Sequence, residues 1–200
     1  MSGIILLTQR IDYLAGQSEW RDSIDRRWLA LIEQVGCTPV VVSNIGTGVQ
    51  KLVNKLDVKG VILTGGNSLF NYGGNAEIRD ITERCLLQLA MTKKLPVLGV
   101  CRGMQLIQDQ WQTKLVKVAG HVQQQQMVLI NGSAEQVNSF HHWGSFEPTE
   151  EFVTFAKTED NVIKGFKHKQ LPIIGIMWHP ERIVPFREQD IMLLKTLFNL

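Results

Sequence analysis

Cys101 is the residue of this sequence whose surroundings most clearly favour covalent chemistry. A short apolar run at 95–98 ends in Gly99-Val100-Cys101-Arg102-Gly103, and the residues that follow predict a helix. This is the pattern of a nucleophile elbow, a sharp strand-to-helix turn that exposes one side chain above the end of a sheet. The partial positive charge at a helix N-terminus favours the reactive thiolate. The motif alone leaves the alternative open that Cys101 is a small buried apolar residue.

A second segment, Trp178-His179-Pro180-Glu181, follows an apolar strand pattern and could supply a base for this cysteine. In an extended backbone, residues two positions apart point to the same side, so the carboxylate of Glu181 can reach the imidazole of His179. Pro180 restricts the backbone between them. A cysteine nucleophile needs a base, and the base needs a third group that fixes its tautomer. A strand-end histidine with a solvent-facing glutamate is equally compatible with this segment alone.

A third strand end carries a pair of glycines, Gly65-Gly66, after the β-branched run at 60–64. Glycines at such a point allow backbone N–H groups to face a ligand and to stabilise a developing oxyanion. An ordinary turn is the simpler interpretation of this pair when it is considered by itself. The three segments together, in the chain order Gly-Gly, Cys, His-x-Glu, are far more specific than any one of them.

This order resembles the class I (triad) glutamine amidotransferase superfamily, and the resemblance covers nearly the whole chain. The order favours it over an α/β-hydrolase, in which the acid precedes the histidine. The resemblance implies that Cys101 is the nucleophile, His179 the general base and acid, and Glu181 the residue that orients His179. Such a mechanism needs no metal and no organic cofactor.

The resemblance also implies binding roles for residues near the nucleophile. It assigns the oxyanion hole to the backbone N–H groups of Gly66 and Arg102. Gln105, one helical turn after Cys101, matches a position that contacts the bound glutamyl group. Most members have proline where this sequence has Thr64. The difference affects only the stiffness of the turn, because the N–H that the oxyanion hole requires belongs to Gly66.

Two details favour a hydrolase over an ammonia-producing subunit. Arg102 follows the nucleophile, where glutamine-using members commonly have an uncharged residue. The segment 137–142 is similar to one in γ-glutamyl-γ-aminobutyrate hydrolase-like enzymes, where it holds the α-amino and α-carboxylate groups of the substrate. This similarity implies the following substrate-binding residues: Asn138, Ser139, Phe140 and His141. The alternative that His141 and His142 form a loop pair without a ligand role stays open. Metal binding by these histidines is disfavoured, because no cysteine or carboxylate cluster with ligand spacing lies nearby.

The charged N-terminal segment, residues 8–28, follows the first predicted strand. Ligands of open α/β sheets bind beyond the carboxyl ends of the strands, so Arg10 and Arg21 are expected to bind an anionic substrate. A solvated helix face with an ion pair between Asp22 and Arg26 is the alternative. The segment is similar to amidotransferase-like hydrolases from bacterial surface-polysaccharide loci. One activity of that group removes glutamate from γ-glutamyl-CDP-amidate on the route to phosphoramidate-decorated capsule.

Composition limits these interpretations. The 200 residues, 44% hydrophobic and 20% charged, predict a single domain spanning residues 1–200. A net charge of +2 indicates no commitment to nucleic acid or to a membrane. Three cysteines, Cys37, Cys85 and Cys101, show no paired spacing, which favours a reducing cytoplasm. The start of the sequence is typical of neither a signal peptide nor a membrane span.

The sequence alternates predicted strands and helices, which implies an α/β fold: a three-layer, flavodoxin-like, mostly parallel sheet with helices on both faces. The predicted strands are 4–8, 39–42, 61–64, 97–100 and 173–178. The predicted helices are 24–35, 48–56, 76–91, 101–111 and 187–200. Short strands and turns between 115 and 155, with Asn131-Gly132 closing the strand 127–130, indicate an antiparallel insertion at one edge.

Three function hypotheses follow. The first is a stand-alone cysteine hydrolase that releases glutamate from a small γ-glutamyl compound. The resemblance implies that this compound could be linked to a nucleotide, as in γ-glutamyl-CDP-amidate. The second is a glutaminase subunit that supplies ammonia to a partner synthase. The third is a catalytically silent binding module. A synthase partner belongs only to the second hypothesis, a homodimer stays open, and no nucleic acid or membrane is expected as a partner.

Overall fold

The computed structural model describes residues 3–200, whose strands form a mostly parallel sheet flanked by helices. In chain order the strands are β1 (Ile4–Thr8), β2 (Arg10–Leu14), β3 (Glu19–Ser23), β4 (Thr38–Val42), β5 (Val58–Leu63), β6 (Val97–Val100), β7 (Val116–Lys117), β8 (Val122–Ile130), β9 (Ser133–Phe140), β10 (Trp143–Gly144), β11 (Phe152–Lys157), β12 (Ile163–His168) and β13 (Ile173–Ile176). The helices are α1 (Arg27–Val35), α2 (Val49–Lys55), α3 (Glu77–Lys93), α4 (Arg102–Gln110) and α5 (Glu188–Phe198). Among these helices, none is both long enough and apolar enough to cross a bilayer.

Within the described residues the main sheet has nine strands in the order β4-β1-β5-β6-β13-β12-β11-β8-β9. The first five strands are parallel, and the other four run antiparallel to their neighbours. Strand β6 is buried at every position, as expected where helices cover both faces of a sheet. Helix α1 contacts α5, whereas α3 contacts α2 and α4, which gives two helix layers. The predicted three-layer fold with an antiparallel edge is therefore confirmed.

The N-terminal charged segment forms a hairpin that the sequence did not predict. Strands β2 and β3 pair antiparallel around a short 3-10 turn, with Tyr13 opposite Trp20 and their ring centroids 4.7 Å apart. Such cross-strand aromatic pairs stabilise two-stranded ribbons. Asp22 lies on β3 and accepts a hydrogen bond from Nδ2 of Asn44 at 2.7 Å, so the helical ion pair with Arg26 is wrong. Helix α1 consequently begins three residues later than predicted, at Arg27.

The antiparallel insertion is larger than the sequence indicated. Asn131 and Gly132 close the β8–β9 hairpin with φ values of 50° and 85°, the positive angles that an Asn-Gly turn requires. Strand β12 lies beyond the predicted insertion and pairs with both β11 and β13. The last strand, β13, ends at Ile176, two residues earlier than predicted, so that residues 177–181 leave the sheet and enter the site.

Candidate active site

Cys101 occupies the predicted turn between β6 and α4 in a strained backbone conformation. Its φ of 52° and ψ of −103° lie outside the regions that non-glycine residues usually adopt. The backbone N–H of Cys101 donates to the carbonyl of Ile176 on β13 at 2.8 Å, and its carbonyl accepts from the N–H of Gln105 at 3.0 Å. These bonds hold the turn from both sides. Strain of this kind persists only where the surrounding structure enforces it, and it clusters at active sites.

The second glycine of the elbow is required by close packing of α4 against the sheet. A Cβ on Gly103 would lie 1.9 Å from the carbonyl oxygen of Leu63 at the end of β5. Any side chain at 103 would therefore push the N-terminus of α4, and Cys101 with it, away from the sheet. Glycine is required at 103 by this close packing and not by backbone conformation, since φ at Gly103 is not in the left-handed region.

His179 and Glu181 form the pair that their spacing predicted. Nδ1 of His179 lies 2.8 Å from Oε1 of Glu181, and both side chains are buried. Asn138 on β9 holds the backbone of the histidine from two directions: its Oδ1 accepts from the N–H of His179 at 2.7 Å, and its Nδ2 donates to the carbonyl at 2.8 Å. The side chain of Asn138 thus supports the predicted base. Nε2 of His179 is buried and has no hydrogen-bond partner among residues 3–200.

The electrostatics of the site favour an ion pair between the thiol and the imidazole. Burial alone raises the pKa of Cys101, but the adjacent imidazole of His179 and the N–H of Arg102 lower it below its ordinary value overall. Burial lowers the pKa of His179, yet the neighbouring Cys101 and Glu181 raise it to about 9. A lowered thiol pKa and a raised imidazole pKa both favour the thiolate–imidazolium pair over the neutral pair.

The Gly65-Gly66 turn lies beside the same histidine. Gly66 has φ of +86°, a conformation that L side chains rarely adopt, and its carbonyl accepts from the guanidinium of Arg79. A Cβ on Gly65 would lie 2.6 Å from Cε1 of His179, which places the turn directly against the imidazole. Thr64, which stands where most members of the family that the sequence resembles have proline, donates its N–H to Oγ1 of Thr8 at 3.0 Å. A proline could not make this bond, so hydrogen bonding stiffens the turn instead.

The segment 138–141 and Gln105 lie close to the nucleophile. Sγ of Cys101 is 3.8 Å from the carbonyl oxygen of Phe140, and the ring of Phe140 lies edge-on to that of His179 with centroids 5.8 Å apart. Nε2 of Gln105 donates to the carbonyl of Trp143 at 2.9 Å. The sequence expectation of a substrate contact for these residues remains a proposal, but the structure brings them together.

Lys164 is a buried cation that the sequence interpretation missed. It lies on β12 and is 1% exposed; its Nζ donates to Oγ of Ser139 at 2.9 Å and contacts Nε2 of His141. Burial lowers the pKa of Lys164 to about 7 and that of His141 to about 2, so His141 is neutral. His142, in contrast, is exposed. A single lysine inside the otherwise apolar run Ile-Lys-Gly-Phe at 163–166 was the available signal.

Arg10 and Arg21, which the sequence led us to expect at an anionic substrate, and Arg102, which follows Cys101, have different environments. Arg10 lines a cavity of about 360 Å³ beside His179, with Nη2 at 2.7 Å from Asp12. Arg21 points along the exposed hairpin and pairs with Glu19 at 3.0 Å; in the described part of the chain it is not among the residues lining this cavity. The side chain of Arg102 is buried against Glu83 and Asp80. The guanidinium of Arg102 is thus engaged by two carboxylates, and the position of Arg21 does not support contact with an anion in this cavity.

Arg182 takes the place that Arg21 was expected to fill. It follows Glu181, lines the same cavity, and lies over the ring of Phe140 at 5.0 Å from the centroid. Its Nε is 3.4 Å from Oε1 of Glu181, an oxygen that already accepts from His179. Arg182 is therefore the less firmly paired of the two cavity arginines. Its position directly after His-Pro-Glu was the signal that sequence interpretation passed over.

Comparison with known proteins gives consistent results. A family model described as Glutamine amidotransferase class-I matches residues 19–198. The chain is 34% identical over 145 residues to the γ-glutamyl-CDP-amidate hydrolase of Campylobacter jejuni, covering 72% of this chain and 71% of that protein. It is 25% identical over 163 residues to a glutamine-hydrolysing GMP synthase subunit of Methanocaldococcus jannaschii, covering 75% and 78%. A solved structure of a candidate GMP synthase subunit from Thermoplasma acidophilum aligns with a TM-score of 0.74 at 17% identity, covering 100% of this chain and 94% of that one, which supports the fold alone.

Proposed function

The chain belongs to the class I glutamine amidotransferase family, and from that premise we propose that it is a stand-alone hydrolase of γ-glutamyl amides. The observation that carries the proposal is the arrangement of Cys101, His179 and Glu181. The strained turn presents the thiol beside a histidine whose Nδ1 is fixed by a carboxylate at 2.8 Å and whose Nε2 is free of other partners within residues 3–200. This is the arrangement that nucleophile, base and orienting group require.

The reaction follows from this geometry. The thiolate of Cys101 attacks the γ-carbonyl carbon and forms a C–S bond, while the carbonyl π electrons move to the oxygen. The N–H groups of Gly66 and Arg102 stabilise that oxyanion, each contributing about 3–4 kcal/mol by analogy with other enzymes. Collapse of the intermediate breaks the C–N bond as Nε2–H of His179 protonates the departing nitrogen. Water deprotonated by the now neutral His179 then cleaves the γ-glutamyl thioester, releasing glutamate and restoring the ion pair.

The cavity beside His179 supports an anionic leaving group. His179, the residue that must protonate the departing nitrogen, lines this cavity, and Arg10 and Arg182 bring two guanidinium groups to it. Guanidinium groups recognise phosphate through paired N–H donors. Because the related Campylobacter protein is named as a γ-glutamyl-CDP-amidate hydrolase, we propose a nucleotide-linked γ-glutamyl phosphoramidate as the substrate, as in capsule phosphoramidate formation. Asp12 and Asp25 also line the cavity, so the anion must compete with Asp12 for Arg10.

Glutamate release by the purified chain tests this function. The panel contains glutamine, γ-glutamyl-γ-aminobutyrate, γ-glutamyl-p-nitroanilide and γ-glutamyl-CDP-amidate. Turnover of a substituted amide far ahead of glutamine is expected, and Cys101→Ala should abolish it without loss of folding. Cys85→Ala is the matched control, because Cys85 is half-buried and burial raises the pKa of its thiol. Substantial activity in Cys101→Ala would contradict the proposed nucleophile.

A glutaminase subunit is the alternative function. The identity to the GMP synthase subunit of Methanocaldococcus jannaschii favours it, since that protein is named as part of a glutamine-hydrolysing synthase. Under this alternative, glutamine is the sole compound of the panel that is hydrolysed, slowly, and a partner synthase raises the rate. A rate on γ-glutamyl-CDP-amidate well above that on glutamine, in the absence of any other protein, excludes it.

A further inference from the structure

Helix α3 carries three charged residues that are buried although they lie outside the triad. Arg79 and Glu83 are fully buried and Asp80 is nearly so; from α4, Arg102 joins them with 1% exposure. Glu83 Oε1 accepts from Nε of Arg79 at 2.9 Å, and Arg102 donates one nitrogen to Glu83 and another to Asp80. The four side chains, which we call the buried ion network, comprise two cations and two anions.

The first end of the network holds the glycine turn. Besides the carbonyl of Gly66, the guanidinium of Arg79 donates to those of Thr64 at 2.7 Å and Gly65 at 3.0 Å. In a trans peptide the N–H points opposite to the carbonyl of the same unit. Since the carbonyl of Gly65 points to Arg79, the N–H of Gly66 points the other way. Arg79 thereby sets the direction of the first predicted oxyanion donor.

The second end of the network fixes the elbow. The other predicted donor is the N–H of Arg102, the first residue of α4, and the side chain of that residue is joined to α3 through Glu83 and Asp80. Asp80 Oδ2 also accepts from the N–H of Phe70 at 3.0 Å, which fixes the loop that follows the glycine turn. Both segments that supply oxyanion donors are therefore bonded, through Arg79 and Arg102, to the same buried carboxylate, that of Glu83.

Stability alone gives little reason for such a network. Burying four charges carries a large desolvation cost, and apolar residues of similar volume are often equally stable or more so. Burial lowers the pKa of Arg79 to about 10, so its charge is retained at neutral pH despite that cost. A fixed distance between two backbone donors, in contrast, is what preorganised oxyanion stabilisation requires.

We propose that the buried ion network positions the oxyanion hole, with Arg79, Glu83 and Asp80 acting as positioning residues that keep the N–H groups of Gly66 and Arg102 aligned. The inference rests on the proposed hydrolase function. It predicts that damage to the network lowers the rate of the chemical step and leaves substrate binding almost unchanged. Damage confined to the Gly66 end should leave thiolate formation almost unchanged as well, because the N–H that lowers the pKa of Cys101 is that of Arg102.

The test compares Arg79→Lys with wild type and with Arg84→Gln, using γ-glutamyl-p-nitroanilide. Lysine keeps the charge but cannot reach three carbonyls and Glu83 together. Arg84 is the matched control because it also lies on α3 and pairs with α4, through Asp109, but on the outer surface. For Arg79→Lys we expect kcat to fall roughly 100-fold, the effect of losing one oxyanion donor. KM and the rate of Cys101 alkylation by iodoacetamide should stay within about threefold of wild type, and Arg84→Gln should leave all three values unchanged.

Each outcome separates the inference from the function on which it rests. Wild-type kcat in folded Arg79→Lys, or a loss confined to KM or to alkylation, would overturn the inference and leave the hydrolase proposal intact. No hydrolysis of any γ-glutamyl amide by the wild-type chain would overturn the hydrolase proposal first, and the inference with it. If Arg79→Lys fails to fold, Asp80→Asn tests the Arg102 end through kcat and KM, and failure of both variants to fold would show a purely structural network.

Discussion

Gly65 offers a sharp test of the position of His179. A Cβ added there would lie 2.6 Å from Cε1 of the imidazole, whereas ordinary contact begins at 3.4 Å. Alanine is compatible with the backbone at this position, because φ of Gly65 is not in the left-handed region. The conflict in Gly65→Ala therefore falls on the ring, which must retreat by about 0.8 Å to restore ordinary contact. Glu181 and Asn138 hold His179 on its other sides, so Nε2 moves relative to Cys101.

A displacement of this size has a calculable effect on rate. Misplacing a catalytic group by about 1 Å costs on the order of 100-fold. For Gly65→Ala we therefore expect kcat/KM to fall about 100-fold, which corresponds to about 2.7 kcal/mol in activation free energy. The rate of Cys101 alkylation should fall as well, because the imidazolium that stabilises the thiolate has moved.

The assay measures kcat/KM for glutamate release, iodoacetamide alkylation and the melting temperature of the same preparation. Gly16→Ala is the matched control: within the described residues no atom lies within 4 Å of a Cβ built there, and its φ is also outside the left-handed region. Its kinetics should equal those of wild type. A well-folded Gly65→Ala protein with kcat/KM within threefold of wild type would refute the assigned role of His179 in this reaction.

Three further predictions concern the same site. The value of kcat/KM should decline as the pH rises through about 9, because His179 loses the proton that it must donate. It should also decline at acid pH, because the Cys101 thiolate is protonated. A pH profile of γ-glutamyl-p-nitroanilide hydrolysis checks both limbs. His179→Ala should lower kcat by roughly 10²–10⁴-fold, and Glu181→Gln by less because it acts through His179; steady-state rates that place Glu181→Gln below His179→Ala would contradict these roles. Arg182→Ala should raise KM for γ-glutamyl-CDP-amidate but not for γ-glutamyl-p-nitroanilide, whose leaving group is uncharged, whereas Arg21→Ala should change neither; equal effects on both substrates would argue against an anion subsite.

The features that the sequence predicted correctly are those encoded locally. The elbow at Cys101 needs a strand, a tight turn and a helix in immediate succession, and all three are written within a dozen residues. The pairing of His179 with Glu181 likewise depends on two positions in one short segment, although the structure places them in a 3-10 turn after β13 rather than on the strand itself. A prediction that rests on such a local pattern stays correct even when the predicted element boundaries are wrong by a few residues.

The features that were missed depend on contacts between distant segments. The β2–β3 hairpin has an aromatic pair and charged strands that also suit a helix face, and only pairing across the turn distinguishes the two. Lys164 reaches Ser139 and His141 from another strand, and Arg102 finds its carboxylates on α3. A sequence shows that a lysine or arginine is present, but which buried groups it contacts depends on tertiary packing.

The place of β13 in the sheet governs the order in which the protein can acquire its site during synthesis. Strand β6 ends directly before Cys101, yet its partner β13 emerges from the ribosome only after the whole antiparallel insertion has been made. Until then one edge of β6, entirely apolar apart from one glycine, lacks its native neighbour. Unpaired apolar edges of nascent intermediates are sites of misassociation. Pairing of β13 with β6 covers that edge, and the same step brings His179 to Cys101. Protection from aggregation and activation of the thiol are therefore completed together.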